Sequence, residues 1–322
     1  MNSKIITAVA LLALACIGSD AAAQDWRRTL IDGFDGADFA PEGGLYYKKN
    51  FEQSAGTVEF QNTVTYSGSG AVKLSVKPIC PADGSECSER AELWEIPDLR
   101  VPYNQPVWFG FAVKFDDPVP QADHRYLIAQ WKREIGPDAV GDFSPFLGIR
   151  LRKGKLFVTT ETTYFPEFKE GPFGQAAVCE DGQTAVRATP DTNQVRALIV
   201  ADDSWTSEDS AEFNACTDQI SVTHHGNPFP APDEGWIDFA ILSKPGPDGD
   251  GHIEIFANGK WIVSVKGNIG HSDYGLGENQ YFKFGPYRAA ALDNWALYYD
   301  DFRRSLKCED VLRDADACAK IK

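Results

Sequence analysis

The sequence predicts an all-β protein with long loops and a short C-terminal helical tail. The first observation is a succession of short alternating or apolar runs, such as residues 71–76, 107–113 and 236–242, separated by Gly, Pro, Asn and Asp. The second is that helical periodicity is scarce outside residues 309–319. Many short strands at this spacing are typical of two packed sheets. The predicted architecture is a concanavalin-like β-sandwich, or jelly roll.

The N-terminus has the composition of a secretory signal peptide. Lys4 precedes an apolar run at residues 5–17, and small residues follow at 21–23. The run is shorter than the ~20 residues of a membrane-spanning helix, and the small residues are typical of a signal-peptidase site. We therefore expect cleavage after Ala23, with residues 24–322 forming a single domain in a secreted or periplasmic protein. A lipoprotein site at Cys16 is the weaker alternative.

The cysteine content fits an exported chain. Removal of the signal peptide leaves six of the seven cysteines, and an even number favours disulfides over metal or redox chemistry. Order along the chain suggests the pairs Cys80–Cys87, Cys179–Cys216 and Cys308–Cys318. The last pair requires that the helical tail folds back. Ten residues of straight helix would separate its Cα atoms by ~15 Å, beyond the ~7 Å limit for a bridge.

The formal charge of −16 argues against nucleic acid or an anionic membrane as a partner. An anionic polysaccharide is compatible with this charge only through a local basic patch, and a densely sulfated one is disfavoured. We expect a monomer without a metal cofactor. The loop at residues 246–251 offers Asp248 and Asp250 to Ca²⁺, but it lacks the twelve-residue calcium-loop pattern. A hairpin turn is the favoured interpretation of this loop.

Two segments are expected to be long loops, and a third is expected to be a tight turn. Residues 166–218 are polar, rich in glycine and bracketed by a candidate disulfide, and residues 224–235 contain three prolines. Apolar runs on either side of Asn258-Gly259 predict a β-hairpin, because this dipeptide is preferred in two-residue hairpin turns.

The strongest candidate for a functional strand is the segment 280–288. Side chains two apart on a strand share a face, so Tyr281, Lys283 and Tyr287 lie on one face and the intervening phenylalanines on the other. Gly285 leaves room for a ligand to approach the backbone. The pattern predicts a cleft floor with its phenylalanines toward the core. An ordinary solvated face is equally compatible with it.

Three further strands carry charged or polar side chains on one face. Residues 88–94 place Arg90, Glu92 and Trp94 together, which orients a guanidinium group for bidentate carboxylate binding. A purely structural salt bridge explains the same pattern. Two shorter pairs, each weak by itself, follow the same rule: Gln130 with Lys132, and Arg150 with Arg152.

Five motifs, taken in order, resemble those of the heparin lyase I-like polysaccharide lyases. They are Arg-Ala-Glu-Leu, Ile-Ala-Gln-Trp-Lys, Ser-Pro-Phe-Leu-Gly-Ile-Arg, Gly-His-Ile-Glu-Ile-Phe-Ala-Asn-Gly-Lys and Tyr-Phe-Lys-Phe-Gly-Pro-Tyr-Arg. Alginate and glucuronan lyases on the same jelly roll look like more distant relatives. The resemblance covers roughly residues 32–303. Its Arg-x-Glu and Lys-x-Gly-x-Tyr elements are specific only in combination.

The resemblance implies cleavage of a 4-linked uronic-acid-containing glycan by β-elimination. It assigns neutralisation of the C5 carboxylate to Arg90 and Gln130. It assigns proton transfer to Tyr287, with Lys283 as a supporting cation. The remaining residues of these clusters are then expected to bind substrate: Glu92, Trp94, Arg150, Arg152, Tyr281 and His124.

Two departures from the family pattern affect the predicted site. Many relatives have Gln-x-His where this chain has Gln130-Trp131-Lys132. Lys132 therefore takes the histidine's place, or a histidine enters the cleft from a loop; the candidates are His124, His224, His225 and His271. Pro286 replaces an aliphatic residue, which predicts an edge or a bulge because proline donates no ladder hydrogen bond.

The spacing within segment 280–288 raises a further question. On an ideal strand Lys283 and Tyr287 lie ~13 Å apart. They would then serve neighbouring sugars, unless a kink at Gly285-Pro286 brings them together.

Two other classes of function remain as alternatives. A non-catalytic glycan-binding module would keep the cleft and its basic residues, and the missing histidine favours it. A glycoside hydrolase on a similar sandwich needs paired carboxylates at close spacing, typically Glu-x-Asp-x-Glu on one strand. The sequence contains no such run, so this alternative is weak.

Overall fold

The computed structural model has two β-sheets packed face to face. The residues it describes are 25–48, 54–81, 87–163, 165, 168–189 and 194–321. The predicted signal peptide, residues 1–23, lies outside the described residues. Within them, strands are numbered β1 to β20 and helices α1 and α2 along the chain. None of the described helices has the length and apolar character needed to cross a membrane.

The described strands divide between a nine-stranded and an eleven-stranded sheet. In spatial order the nine-stranded sheet contains β15 (Ile220–His224), β18 (Lys260–Ile269), β17 (Gly246–Ala257), β16 (Trp236–Lys244), β8 (Val107–Phe115), β20 (Trp295–Ser305), β4 (Ala71–Val76) and β3 (Gly56–Gln61), with β1 (Leu30–Asp32) beside β20. The eleven-stranded sheet contains β14 (Ala215–Thr217), β12 (Thr184–Thr189), β13 (Gln194–Ala201), β11 (Lys155–Thr163), β10 (Leu147–Arg152), β9 (Tyr126–Ile135), β19 (Leu276–Ala289), β6 (Leu93–Glu95) and β2 (Leu45–Tyr47), with β5 (Ser88–Arg90) and β7 (Val101–Pro102) beside β19. The predicted jelly roll is confirmed.

Aromatic side chains from both sheets form the centre of the core. Phe109 and Phe111 of β8 pack against Phe282 and Phe284 of β19, with ring centroids 4.9 Å apart for Phe109 and Phe282. Burial of each such side chain contributes ~1.5–3 kcal/mol. Because β19 turns its phenylalanines inward, alternation directs Lys283 to the opposite face of the sheet. The core therefore decides which side chains of β19 can reach a ligand.

The expectation of a long loop at residues 166–218 is wrong for part of that segment. It contains β12, β13 and β14, which extend the eleven-stranded sheet beyond β11. The physical reason is visible in β13, where Val195, Ala197 and Ile199 are buried at alternate positions. The one charged residue between them, Arg196, lines the cleft instead of the core.

The predicted hairpin turn at Asn258-Gly259 is confirmed. It joins β17 to β18, and both residues have a positive φ, 51° and 72°. That combination defines a type I′ turn, for which Asn-Gly is the preferred pair. The chain likewise reverses direction between Lys244 of β16 and its antiparallel partner His252 of β17, and Asp250 accepts a hydrogen bond from Lys244 Nζ at 2.9 Å. This supports the hairpin interpretation of the candidate calcium loop.

The three disulfides join the cysteines in the predicted pairs, with Cα–Cα distances of 5.5, 5.6 and 5.7 Å. The C-terminal tail forms two short helices, α1 (Cys308–Val311) and α2 (Ala315–Cys318). Arg313, with a φ of 59°, lies in the turn between them. The tail folds back as the Cys308–Cys318 bridge requires. Val311 packs with Trp108 on the outer face of the nine-stranded sheet.

Candidate active site

A cleft of about 620 Å³ lies on the eleven-stranded sheet. Three acidic side chains line it: Asp123, Asp142 and Glu212. Eight basic side chains line it: Arg90, Arg125, Lys132, Arg150, Arg152, Arg187, Arg196 and Lys283. The cleft is therefore basic although the whole chain carries a formal charge of −16. This is the local basic patch that an anionic polysaccharide requires.

Two groups of residues occupy different parts of the cleft. The tyrosine end consists of residues from β5, β9 and β19: Arg90, Gln130, Lys132, Lys283 and Tyr287. The arginine end consists of residues from β10, β12 and β13: Arg150, Arg152, Arg187 and Arg196. The sheet joins the two ends because β9 pairs with β10, and β11 pairs with both β10 and β13.

A β-bulge shapes the tyrosine end. The register of β19 against β9 shifts between Phe284 and Tyr287, and Gly285 has a φ of 126°. A Cβ at Gly285 would lie 2.1 Å from the carbonyl oxygen of Ala91, so only glycine fits there. Pro286 therefore occupies a bulge within the sheet rather than an edge. Because of this bulge, the two side chains lie close together, with Lys283 Nζ 5.9 Å from the ring centroid of Tyr287.

The buried carboxylate of Glu92 contacts three side chains of the tyrosine end. It is 2% exposed and lies between β5 and β6. Lys283 Nζ donates to its Oε2 at 3.1 Å, and Gln130 Nε2 donates to its Oε1. Arg90 Nη1 lies 3.8 Å from the same carboxylate. Lys283 and Gln130 are also direct cross-strand partners, so the carboxylate fixes two side chains that sheet register has already made neighbours.

The two lysines at the tyrosine end have lowered pKa values. The pKa of Lys283 is lowered to about 7, and burial is the largest cause. Glu92 opposes the shift, whereas the nearby Lys132 and Arg90 add to it. Burial likewise lowers the pKa of Lys132, against the attraction of Asp142 and Glu92. Desolvation disfavours a charged ammonium group. Near neutral pH Lys283 is therefore able to exist with or without its proton.

Tyr287 contacts two guanidinium groups in the lining of the cleft. The Cζ atoms of Arg90 and Arg125 lie 4.2 and 4.9 Å from its ring centroid. Such cation–π contacts orient the ring and place positive charge beside it. Tyr287 is also the cross-strand partner of Arg90. The phenol is thus held in the cleft next to two permanent cations.

Trp94 and Tyr281 support this end rather than lining the cleft. Their rings stack with centroids 5.5 Å apart, and both are buried. Lys283 Nζ lies 4.2 Å from the ring centroid of Trp94. Neither aromatic residue is part of the cleft lining, and the same is true of Glu92. These three residues lie beside Lys283 and outside the cleft lining, and their role in substrate binding stays a prediction.

The arginine end contains residues that the sequence did not single out. Glu161 of β11 is 0% exposed; Arg196 Nε donates to its Oε1 at 2.6 Å, and Arg150 Nη2 lies 3.6 Å from the same atom. Arg187 is the cross-strand partner of Arg196. In the sequence, the alternation of Arg196 with buried apolar residues in β13 was the one signal that this arginine lies on the face away from the core. Only the register between distant strands shows that these side chains meet.

Arg152 of the arginine end contacts two carboxylates. Its Nη1 donates to Glu212 Oε1 at 2.7 Å, and its Nε lies 3.3 Å from Asp123 Oδ1. Arg187 donates to the other oxygen of Glu212. Arg152 is thus held by two carboxylates, and it lines the cleft as the sequence predicted.

Among the four candidate histidines, His124 lines the cleft. Its ring contacts Tyr126 edge-on, with centroids 5.2 Å apart. His271 is buried with its Nε2 3.8 Å from Glu161 Oε2, and burial lowers its pKa, so the ring stays neutral. His224 and His225 lie at β15, at one edge of the other sheet. The part of the chain that the structure describes contains no cluster of three or more His, Cys, Asp or Glu able to hold a metal ion.

A jelly roll with a basic cleft of this kind is suited to a protein that acts on anionic polysaccharides. The chain belongs to the polysaccharide lyase family, whose model matches residues 40–303. The protein is therefore a polysaccharide lyase with a polysaccharide substrate. The alternatives of a non-catalytic module and a glycoside hydrolase are not supported by this membership.

Three solved structures are similar to this chain, and the first, with a TM-score above 0.5, agrees with the fold. An endo-β-1,4-glucuronan lyase from the fungus Trichoderma reesei is 14% identical with a TM-score of 0.55, covering 88% of this chain and 97% of that one. A cellulose-induced protein has 15% identity and a TM-score of 0.44 over 86% of this chain and 97% of that one. An alginate lyase in complex with dimannuronate has 15% identity and a TM-score of 0.39 over 73% and 74%. No curated protein sequence matches the chain.

Proposed function

We propose that the protein cleaves a 4-linked uronic-acid-containing glycan by β-elimination, in the manner of heparin lyase I-like lyases. The observation that carries the proposal is the tyrosine end of the cleft. There Tyr287 lies beside Lys283, and Gln130 and Arg90 are held by the same buried glutamate. This combination supplies a proton-transfer group, a cation of lowered pKa and two donors for a carboxylate.

The reaction makes three demands on the site. The C5–H and C4–O4 bonds break and a C4=C5 double bond forms, so a base must take the C5 proton and an acid must protonate O4. The C5 carboxylate must also be neutralised, since charge develops on it as the proton leaves. One preorganised donor to such a charge is worth about 3–4 kcal/mol, and a positioned acid or base contributes ~10²–10⁴ in rate.

Gln130 and Arg90 are the proposed carboxylate partners. A side-chain amide has two donor hydrogens, and Glu92 accepts from Gln130 Nε2, so the second hydrogen remains for substrate. Lys132 stands two residues from Gln130 on the same face of β9 and lines the cleft. We assign it the position of the histidine that is absent from the Gln-x-His motif.

Tyr287 is the proposed proton-transfer residue, and Lys283 its supporting cation. Both line the cleft. The proposed chemistry uses side chains alone and requires no metal. We also propose that the protein is exported and monomeric. Its three disulfides support export, because disulfides persist in oxidising compartments.

The substrate we propose is a uronate polymer of low sulfation. A chain with a net charge of −16 repels dense polyanions, most strongly at low ionic strength, because salt screens the repulsion. A panel of glucuronan, alginate, hyaluronan, pectate and heparin tests this, with the ultraviolet absorbance of the unsaturated product as readout. Absorbance should rise on at least one weakly sulfated uronan. Binding without any rise in absorbance on the whole panel would overturn the proposal.

A further inference from the structure

The far side of the arginine end, at Arg196, is too distant from Tyr287 for both residues to contact one sugar. Four strand spacings separate β19, which carries Tyr287, from β13, which carries Arg196. At ~4.8 Å per spacing this amounts to ~19 Å across the sheet. Both residues nevertheless line one continuous cleft. A polymer lying across the strands would meet Tyr287 with one sugar and Arg196 with another.

The arginine end has more positive than negative charge. Its four arginines, which are Arg150, Arg152, Arg187 and Arg196, contact the two carboxylates Glu161 and Glu212. Asp123, which is largely exposed, also contacts Arg152. Four guanidinium groups thus meet three carboxylates, which leaves one positive charge in excess. Buried charges are stable only when paired, so the excess is suited to an anionic ligand.

Arg150 gives the second, independent observation. It is 6% exposed and lines the cleft, yet its Nη2 has no hydrogen-bond acceptor among the described residues. Its Nε is satisfied by Thr159 Oγ1 at 2.8 Å, which fixes the plane of the guanidinium group. Burial, with Arg196 nearby, lowers the pKa of Arg150 to about 9, so it stays charged at neutral pH. A buried N–H without an acceptor is unfavourable until a ligand supplies one.

We propose that Arg150, Arg187 and Arg196 form an oxyanion subsite for an acidic group on a sugar several units from the scissile bond. The inference rests on the proposed function and deepens it, because it requires a glycan whose acidic groups recur along the chain. A carboxylate and a sulfate both present anionic oxygens that a guanidinium group binds in a bidentate manner. The subsite binds and orients the polymer and takes no part in proton transfer.

The test compares Arg187→Gln with wild type on oligosaccharides of the cleaved uronan. Arg187 is half-buried and Glu212 keeps Arg152 as partner, so the variant should fold. On long oligomers the variant should raise KM about 10-fold to 100-fold, the loss of one or two charge-assisted hydrogen bonds, with kcat unchanged. On oligomers too short to reach the arginine end, KM should not change. Arg27→Gln, which removes an exposed arginine near the N-terminus, is the matched control.

Titration calorimetry of the long oligomers needs no turnover and separates this inference from the proposed function. Weaker binding by Arg187→Gln and by Arg150→Gln, relative to wild type, supports the subsite even if no uronan is cleaved. Equal binding by wild type and Arg187→Gln overturns it, whatever the activity. Oligomers with their carboxyl groups reduced, and sulfated oligomers, form two further arms. Loss of the variant effect on reduced oligomers identifies a carboxylate as the ligand, and a larger effect on sulfated ones identifies a sulfate.

Discussion

At each end of the cleft a buried glutamate holds the surrounding side chains in place. Glu92 accepts hydrogen bonds from the lysine Lys283 and the neutral Gln130 at the tyrosine end. At the arginine end Glu161 accepts from Arg196 and lies beside Arg150. The difference lies in the cations. Lysine loses its proton readily when buried, whereas arginine remains charged. One buried carboxylate therefore supports a group that titrates near neutral pH, and the other supports permanent positive charge.

This difference matches the two functions that we propose. β-Elimination moves protons, and the tyrosine end combines a phenol with a lysine whose pKa is about 7. Recognition of an acidic sugar needs charge that persists at all working pH values, and the arginine end supplies guanidinium groups around a neutral, buried His271. The comparison is open to experiment at both ends.

The largest expected effect is on turnover at the tyrosine end. Tyr287→Phe removes one hydroxyl and keeps the ring that contacts Arg90 and Arg125. It should lower kcat and kcat/KM together by ~10²–10⁴, as expected for loss of a proton-transfer group, with little change in affinity. Tyr274→Phe alters an exposed tyrosine outside the cleft and serves as control. Retention of more than about a tenth of the activity would move the role to Lys132 or His124.

The second effect compares the two buried glutamates by stability. Glu161→Gln leaves arginines that cannot shed their charge, and should cost ~3–5 kcal/mol of unfolding free energy, as for one broken buried pair. Glu92→Gln should cost less, about 1–3 kcal/mol, because Lys283 is able to lose its proton. Urea denaturation of the two variants and wild type measures the difference. Equal losses would contradict the distinction between the two ends.

The third effect concerns affinity at the tyrosine end. Lys283→Ala should weaken binding of an oligouronate about tenfold, or ~1.4 kcal/mol. It should also make binding less sensitive to salt, since the lost attraction is screened. Lys77→Ala removes an exposed lysine on the other sheet and should change neither quantity. An unchanged salt dependence in Lys283→Ala would show that this lysine does not face the bound anion.

The smallest effect is the pH dependence of that affinity. Lys283 is protonated below its pKa of about 7 and neutral above it, so wild-type affinity for an oligouronate should fall as pH rises from about 6 to 8. Uronate carboxylates remain ionised throughout this range. The fall should vanish in Lys283→Ala and persist in Arg187→Gln. A flat wild-type profile, measured by calorimetry, would mean that Lys283 does not titrate there.

Part of the site was predictable from local pattern. Alternation in residues 280–288 correctly separated Lys283 from the core-facing phenylalanines. Pro286 predicted an edge or a bulge, and the structure has the bulge. Arg90 and Gln130 were assigned through a family resemblance, and the structure brings both to Glu92. Glu92, Trp94 and Tyr281 were predicted to touch substrate, and they lie outside the cleft lining beside Lys283. Alternation assigns side chains to a face but does not say which of them border a cleft.

The sequence by itself predicted the jelly roll and the side chains that share a face on several strands, because side-chain alternation and turn chemistry are local properties. Chain order only suggested the three disulfide pairs, because a bridge requires Cα atoms within ~7 Å and the fold sets that distance. Tertiary structure alone decided the arginine end. Arg187 and Arg196 lie in a segment interpreted as loop, and they meet Arg150 only through the register of β10 to β13. Register between strands depends on packing across the whole sheet. No period within one strand encodes it, so the arginine subsite emerges only in the folded molecule.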